Sequence, residues 1–254
     1  MTFDPLAAAS SAGGRFGGLP PGFAAGYTTR PVAPDGTPAD LVPRLLAGAL
    51  GSADAEVVRL VQVHGRAVLE DDSRPRPGSD RVLGEADAVI SRAEGRLLSV
   101  FTADCVPILL ADGESGWMAA IHAGWRGTAA RIVDAVLDRL FERGVAPASL
   151  FALFGPSISS AAYEVGPEVA EALLASGGGI PFPALAVVPG RGDRHHVDLG
   201  LINETFLLAR GLLPERIRRP ALCTLSDPHL FPSYRRDGPG TGRIATGIVR
   251  TALP

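Results

Sequence analysis

The chain has 254 residues, 46% apolar and 20% charged, a length and composition suited to one large domain with a substantial core. Its net charge of −3 provides no global field for nucleic acid or a membrane surface, so neither is an expected partner. All 24 basic residues are arginine, which excludes Schiff-base chemistry and a lysine general base.

Residues 1–22 are rich in Gly, Ala and Pro and read as a flexible lead-in to a single domain over 23–254. Asp4 and the lack of a basic stretch before an apolar core argue against a secretory signal. No uncharged apolar run reaches membrane-spanning length, and two cysteines make no disulfide framework, so the expected setting is the cytoplasm. GYTTR predicts a short strand, and the proline-rich stretch Pro31–Pro43 interrupts regular structure. Leu41–Leu50 predicts a helix, Glu56–Val63 a strand running into His64, and Asp71–Arg81 a polar loop. Four short strands are expected over Ala86–Ser91, Leu97–Thr102, Ile108–Ala111 and Trp117–His122.

Over Thr128–Arg143, Ile132, Val133, Val136, Leu137 and Leu140 have the spacing of one amphipathic helix, stopped by Gly144. Leu150–Phe154 predicts a strand, Pro167–Ala175 and Leu201–Arg210 helices, 176–193 a loop, and Ile244–Val249 a closing strand. Strands and helices mix without a regular βαβ beat. The expected fold class is therefore α/β (α+β), a layered sandwich of mixed β-sheet flanked by helices.

Chemistry concentrates in VRLVQVHGR, LLSVFTADCVPILLAD and WMAAIHAGWRGTAARIV, whose His64, Cys105 and His122 lie at the ends of apolar runs. Imidazole and thiolate together suit zinc or copper, and three protein ligands leave a coordination position open. The same residues allow a metal-free alternative, with Cys105 as nucleophile, His122 as base and Asp104 as orienting acid. Arg30, Arg126, Arg235, Arg236 and Arg243 sit in loops beside small or polar residues, where guanidinium groups can bind phosphate or carboxylate. The HH pair His195–His196, among Arg191, Arg194 and Asp198, reads as a polar surface loop.

QVHG, TADCVPILLAD, HAGWRGTAARIV, GPSIS followed by YEVGPEV, and CT followed by SYRRDG and TGR occur in an order that resembles the bacterial laccase-domain family. That family is also called YfiH-like or polyphenol-oxidase-like, and its members are described as purine nucleoside phosphorylases. The likeness runs from about Tyr27 to Ile248. It implies an α/β layered fold and a zinc site on His64, Cys105 and His122. It further implies phosphorolysis of adenosine, inosine, guanosine and methylthioadenosine, with deamination of adenosine. Copper-dependent phenol oxidation is also attributed to the family, although five histidines are too few for a trinuclear copper cluster beside other copper centres.

The resemblance places Arg30 at the substrate or phosphate end of the pocket. Arg126 would share the phosphate charge, and Asp104 would orient a ligand or carry a proton. The implied partners are small molecules, a purine nucleoside and phosphate. Two features depart from the pattern: the segment after Arg30 reads PVAPDGTPADLVPRLL without the usual asparagine, and Ala161 and Ala162 stand where many relatives have cysteine. A protein that binds nucleoside or metal without turnover is the remaining alternative.

Overall fold

In the strand Val106–Asp112 every residue of VPILLAD is buried, and the same holds for MAAIHA in Met118–Ala123. Strands covered on both faces read as continuous apolar runs rather than alternating ones. This burial fixes the architecture of the computed structural model, which describes residues 9–10, 13–30, 33, 35–38 and 40–251. Expectations for the other positions, in the lead-in and the proline-rich stretch, lie outside the described residues.

A seven-stranded sheet has the order Ala9–Ser10, Gly13–Arg15, Phe23–Tyr27, Ile244–Arg250, Arg96–Thr102, Glu56–Val61, Asp80–Glu85. A six-stranded sheet has the order Ile217–Arg218, Leu150–Phe154, Val106–Asp112, Met118–Ala123, Ala88–Ser91, Val68–Glu70. Both are mixed. Glu56–Val61 runs parallel to both its neighbours, whereas Met118–Ala123 runs antiparallel to both of its own. A three-stranded sheet joins Glu164–Val165, His195–Val197 and Val187–Pro189.

The helices are α1 (Leu41–Ala49), α2 (Trp125–Ala129), α3 (Ile132–Glu142), α4 (Pro167–Ala175), α5 (Leu199–Ala209) and α6 (Tyr234–Asp237). Val58, Leu98 and Val100 of the large sheet meet Val89, Leu109 and Met118 of the second in one core between the sheets. On the outer face of the large sheet, Val57, Leu97 and Val249 pack against Val42 and Leu46 of α1. On the outer face of the second, Ile90, Ile108 and Ile121 pack against α3 and α5. The layers therefore run helix, sheet, sheet, helices. This is the expected sandwich, built from two principal sheets.

Several elements differ from expectation for local reasons. Gly13–Arg15 already pairs with the strand Phe23–Tyr27, so part of the glycine-rich lead-in belongs to the sheet. A Cβ on Gly14 would stand 2.1 Å from the Tyr27 ring, so close packing explains the glycine there. The expected helix over Thr128–Arg143 is two helices, because Arg131 adopts φ +60° between α2 and α3. The Arg131 guanidinium pairs with Asp134 and lies 4.6 Å from the Phe206 ring, which holds the break in place. His195–Val197 is the middle strand of the small sheet, not a loop. Arg96, fully buried, is held by Glu56 at 2.6 Å, so the base of the strand Glu56–Val61 is tied to its neighbour by charge.

Candidate metal centre

The strand Glu56–Val61 leads to His64, the turn after Arg96–Thr102 carries Cys105, and Met118–Ala123 carries His122. One nitrogen of each histidine and the Cys105 sulfur all lie within 4.8 Å of one another, the only such group of three among the described residues. The imidazole rings meet edge to face, with centroids 4.8 Å apart. His64 is exposed, Cys105 half-buried and His122 buried, so the cluster opens on the His64 side. A Cβ at Gly124 would stand 3.0 Å from the Cys105 sulfur and 3.1 Å from His64 Cδ2. Glycine lets the chain pass close to two donors that a side chain here would press outward by a few tenths of an ångström.

His64 has φ +60° and Asp104 φ +93°, unusual values for residues with side chains, and such conformations cost about 1–3 kcal/mol each. The compensation at His64 comes from Asp87. This fully buried carboxylate accepts hydrogen bonds from the backbone N–H of His64 at 2.9 Å, Gly65 at 2.6 Å and Val63 at 3.3 Å. It also accepts His122 Nδ1–H at 2.7 Å. An ionised carboxylate only accepts, which fixes the proton on Nδ1 and leaves Nε2 of His122 for the cluster. Burial pushes the Asp87 carboxyl up, but the bonds from His122, Gly65 and His64 outweigh it and hold the group below the usual carboxylate range.

Burial likewise pushes the Cys105 thiol up, yet bonds from His122 and His64 bring it down to about 7. His122 is pushed down by burial and up by Asp87 and Cys105, and ends at about 9. The two shifts make the Cys105 thiol more acidic and the His122 imidazole more basic, so each favours the charged form of the other. A thiolate beside two imidazoles, one oriented by a buried carboxylate, is the donor set of a three-ligand zinc or copper site. The residues fit a metal.

The cluster borders a cavity of about 760 Å³. Leu60, Phe101 and Ile158 supply apolar lining, Trp125 and Tyr163 aromatic faces, and Arg126, Arg235 and Arg243 positive charge. Gln62 is committed elsewhere, exchanging two hydrogen bonds with the backbone of Phe101. Asp104 touches the cavity but does not orient a ligand. Its carboxylate accepts Thr224 Oγ1–H at 2.5 Å and Arg235 N–H at 2.7 Å, and so anchors the segments that follow. The orienting acid is Asp87, which the sequence reading missed; its one visible signal is a lone acid inside ADAVIS.

Arg30 stands outside the cavity lining. Its guanidinium donates to Asp237 at 2.7 Å and to Pro228 O at 2.7 Å, and pairs with Asp35 at 3.0 Å, which leaves it a tether for the 228–237 segment. No helix of the described residues is long and apolar enough to cross a membrane.

A family model described as multi-copper polyphenol oxidoreductase laccase matches residues 42–251. A purine nucleoside phosphorylase of Bacteroides thetaiotaomicron is 37% identical over 246 residues, covering 92% of this chain and 88% of its own. An adenosine deaminase RL5 from an unknown prokaryotic organism is 36% identical over 212 residues, covering 81% of this chain and 79% of its own. The crystal structure of YlmD from Geobacillus stearothermophilus superposes with a TM-score of 0.80 at 27% identity, covering 91% of this chain and 93% of that one. With all three donor residues inside the matched region, the chain belongs to the multi-copper polyphenol oxidoreductase laccase family and is an enzyme of that family.

Proposed function

We propose that the chain is a zinc-dependent purine nucleoside phosphorylase acting on adenosine, inosine, guanosine and methylthioadenosine, with deamination of adenosine as a second reaction. The observation that carries this reading is the convergence of His64, Cys105 and His122 on a cavity lined by aromatic rings and by arginines that, among the described residues, have no carboxylate partner. Relatives named for each reaction support it. A dependence on Cys105 as a reduced ligand suits the cytoplasm.

His64, Cys105 and His122 would hold the zinc, which when bound supplies a Lewis acid. Asp87 keeps the His122 proton on Nδ1. Trp125 and Tyr163 offer faces on which a purine can stack and exclude water from it. Arg126 balances the charge of phosphate. In phosphorolysis the bond from the anomeric carbon to the base breaks as a bond to phosphate oxygen forms, releasing free base and ribose 1-phosphate. In deamination, water replaces the exocyclic amino group and ammonia leaves. The thiol-hydrolase alternative exchanges Asp104 for Asp87 as its orienting acid but leaves His64 without a role, whereas a metal uses all three donors. The five histidines and the single three-donor cluster among the described residues give no second copper centre.

The test is chromatography of products after incubating metal-analysed protein with adenosine, with and without phosphate. Adenine and ribose 1-phosphate are expected only when phosphate is present, and inosine in either case. Zinc-loaded protein that yields neither product, or a His64→Ala variant with undiminished phosphorolysis, would overturn the reading.

A further inference from the structure

The segment Ser233–Asp237 divides its two arginines. Arg236 turns inward, donating to the carbonyls of Thr224, Leu225 and Phe231 and pairing with Asp237 at 2.7 Å. Arg235 lines the cavity, its backbone N–H fixed by Asp104, its guanidinium 5.2 Å from the Tyr163 ring and donating one N–H to the Glu164 carbonyl at 3.0 Å. Arg30 holds the same segment from outside through Asp237. Among the described residues this guanidinium has no carboxylate partner, so its charge is not neutralised.

Two more cavity arginines share that property. Among the described residues, Arg126 stands 4.4 Å from the Trp125 ring with no carboxylate partner, and Arg243 donates to the carbonyls of Thr241 and Gly242 and to no carboxylate. The one carboxylate of the lining, Asp104, is consumed by Thr224 and the Arg235 backbone. Arg126, Arg235, Tyr163 and Cys105 all line the same cavity, so the positive wall and the donor cluster share one space.

We infer that Arg126, Arg235 and Arg243 form the subsite that binds the phosphate co-substrate, with Arg30 a positioning residue for the segment that carries Arg235. Guanidinium groups free of acids and backed by aromatic rings suit a dianion, because each keeps several N–H donors for oxygen. This inference rests on the phosphorylase reading for the identity of the anion. Binding itself can be measured without turnover.

The experiment compares zinc-loaded wild type with Arg235→Gln and Arg243→Gln, using inorganic phosphate as the probe in isothermal calorimetry and in steady-state kinetics with inosine. Each variant is expected to weaken phosphate binding at least about tenfold and to raise the KM for phosphate in step. The KM for inosine should move less than about twofold, a split that general misfolding would not produce. Arg30→Gln should lower thermal stability and shift the two KM values together. If wild type binds phosphate and the variants do not, the subsite holds even when no phosphorolysis occurs, and only the activity reading fails. If phosphorolysis occurs but the variants keep the wild-type phosphate affinity and KM, the subsite is wrong. Wild type that binds no phosphate also overturns it.

Discussion

Asp87 ties both histidines of the donor cluster to one carboxylate: Oδ1 lies 2.7 Å from His122 Nδ1 and 2.9 Å from the His64 backbone nitrogen. One of those histidines is fixed through its ring, the other through its main chain. Asp87→Asn should therefore loosen the cluster without touching a ligand atom. Removing an orienting carboxylate of this kind typically lowers metal affinity about 10–100-fold. Competition against a chromophoric chelator would measure the loss. An unchanged zinc affinity in a folded variant would show that Asp87 serves only the backbone.

Metal removal should change the reactivity of one cysteine and not the other. Cys105 and Cys223 are both free and half-buried, but only Cys105 belongs to the donor cluster. Zinc-loaded protein should react slowly with an alkylating agent at Cys105, and chelator treatment should speed that labelling by at least about tenfold, since the free thiolate is the nucleophile. Peptide mass mapping separates the two positions. Equal protection of Cys223 by zinc, or none at Cys105, would contradict the assignment.

Tyr27 sets an alkaline limit on stability. It is wedged between Phe16 and Phe231, with ring centroids 5.5 and 5.9 Å away, and burial pushes its phenol up to about 12 from the ordinary 10.0. The fold thus favours the neutral phenol. Above pH 10 the unfolded chain releases this proton first, so stability falls as pH rises through the interval up to about 12. Denaturant midpoints recorded across that interval should decline less steeply in Tyr27→Phe. Identical slopes in the two proteins would refute the assignment.

The Arg96–Glu56 pair should show the asymmetry of buried ions. Both side chains are essentially inaccessible, and the guanidinium donates twice to Glu56 Oε2, at 2.8 and 2.6 Å. Glu56→Gln leaves Arg96 undercompensated and should cost about 3–5 kcal/mol in urea denaturation, although Asp71 at 3.2 Å retains part of the interaction. A loss below about 1 kcal/mol would mean the charge has found water.

Most sandwich strands were legible because burial on two faces writes itself as uninterrupted apolar sequence, as in Ile108–Ala111 and Trp117–His122. Pro167–Ala175 was legible to the residue, since proline opens helices and small or apolar residues fill α4. The donor trio was legible by residue type. Other features leave no such mark. The apolar spacing of Ile132–Leu140 continues smoothly from Thr128, so nothing announces the left-handed Arg131. His195–Val197 is polar because its sheet is small and partly exposed. Asp87 was invisible because a single acid at a strand entry usually means exposure; only the fold reveals that it is buried among four donors. Asp104 and Arg30 misled for the opposite reason. Asp104 sits beside Cys105 in sequence and Arg30 was placed by the family resemblance, yet both are spent on holding loops.

The strand Ile244–Arg250 is inserted between Phe23–Tyr27 and Arg96–Thr102 in the middle of the large sheet. Until that segment arrives, the sheet consists of two halves with open edges, and its completion joins contacts more than two hundred residues apart along the chain. Such a topology folds slowly and leaves unpaired edges exposed meanwhile. Arg243 immediately precedes this strand, whereas His64, Cys105 and His122 lie far earlier. The cavity therefore draws on both ends of the chain, taking its thiolate and imidazoles from early sequence and its last guanidinium from the segment that completes the sheet.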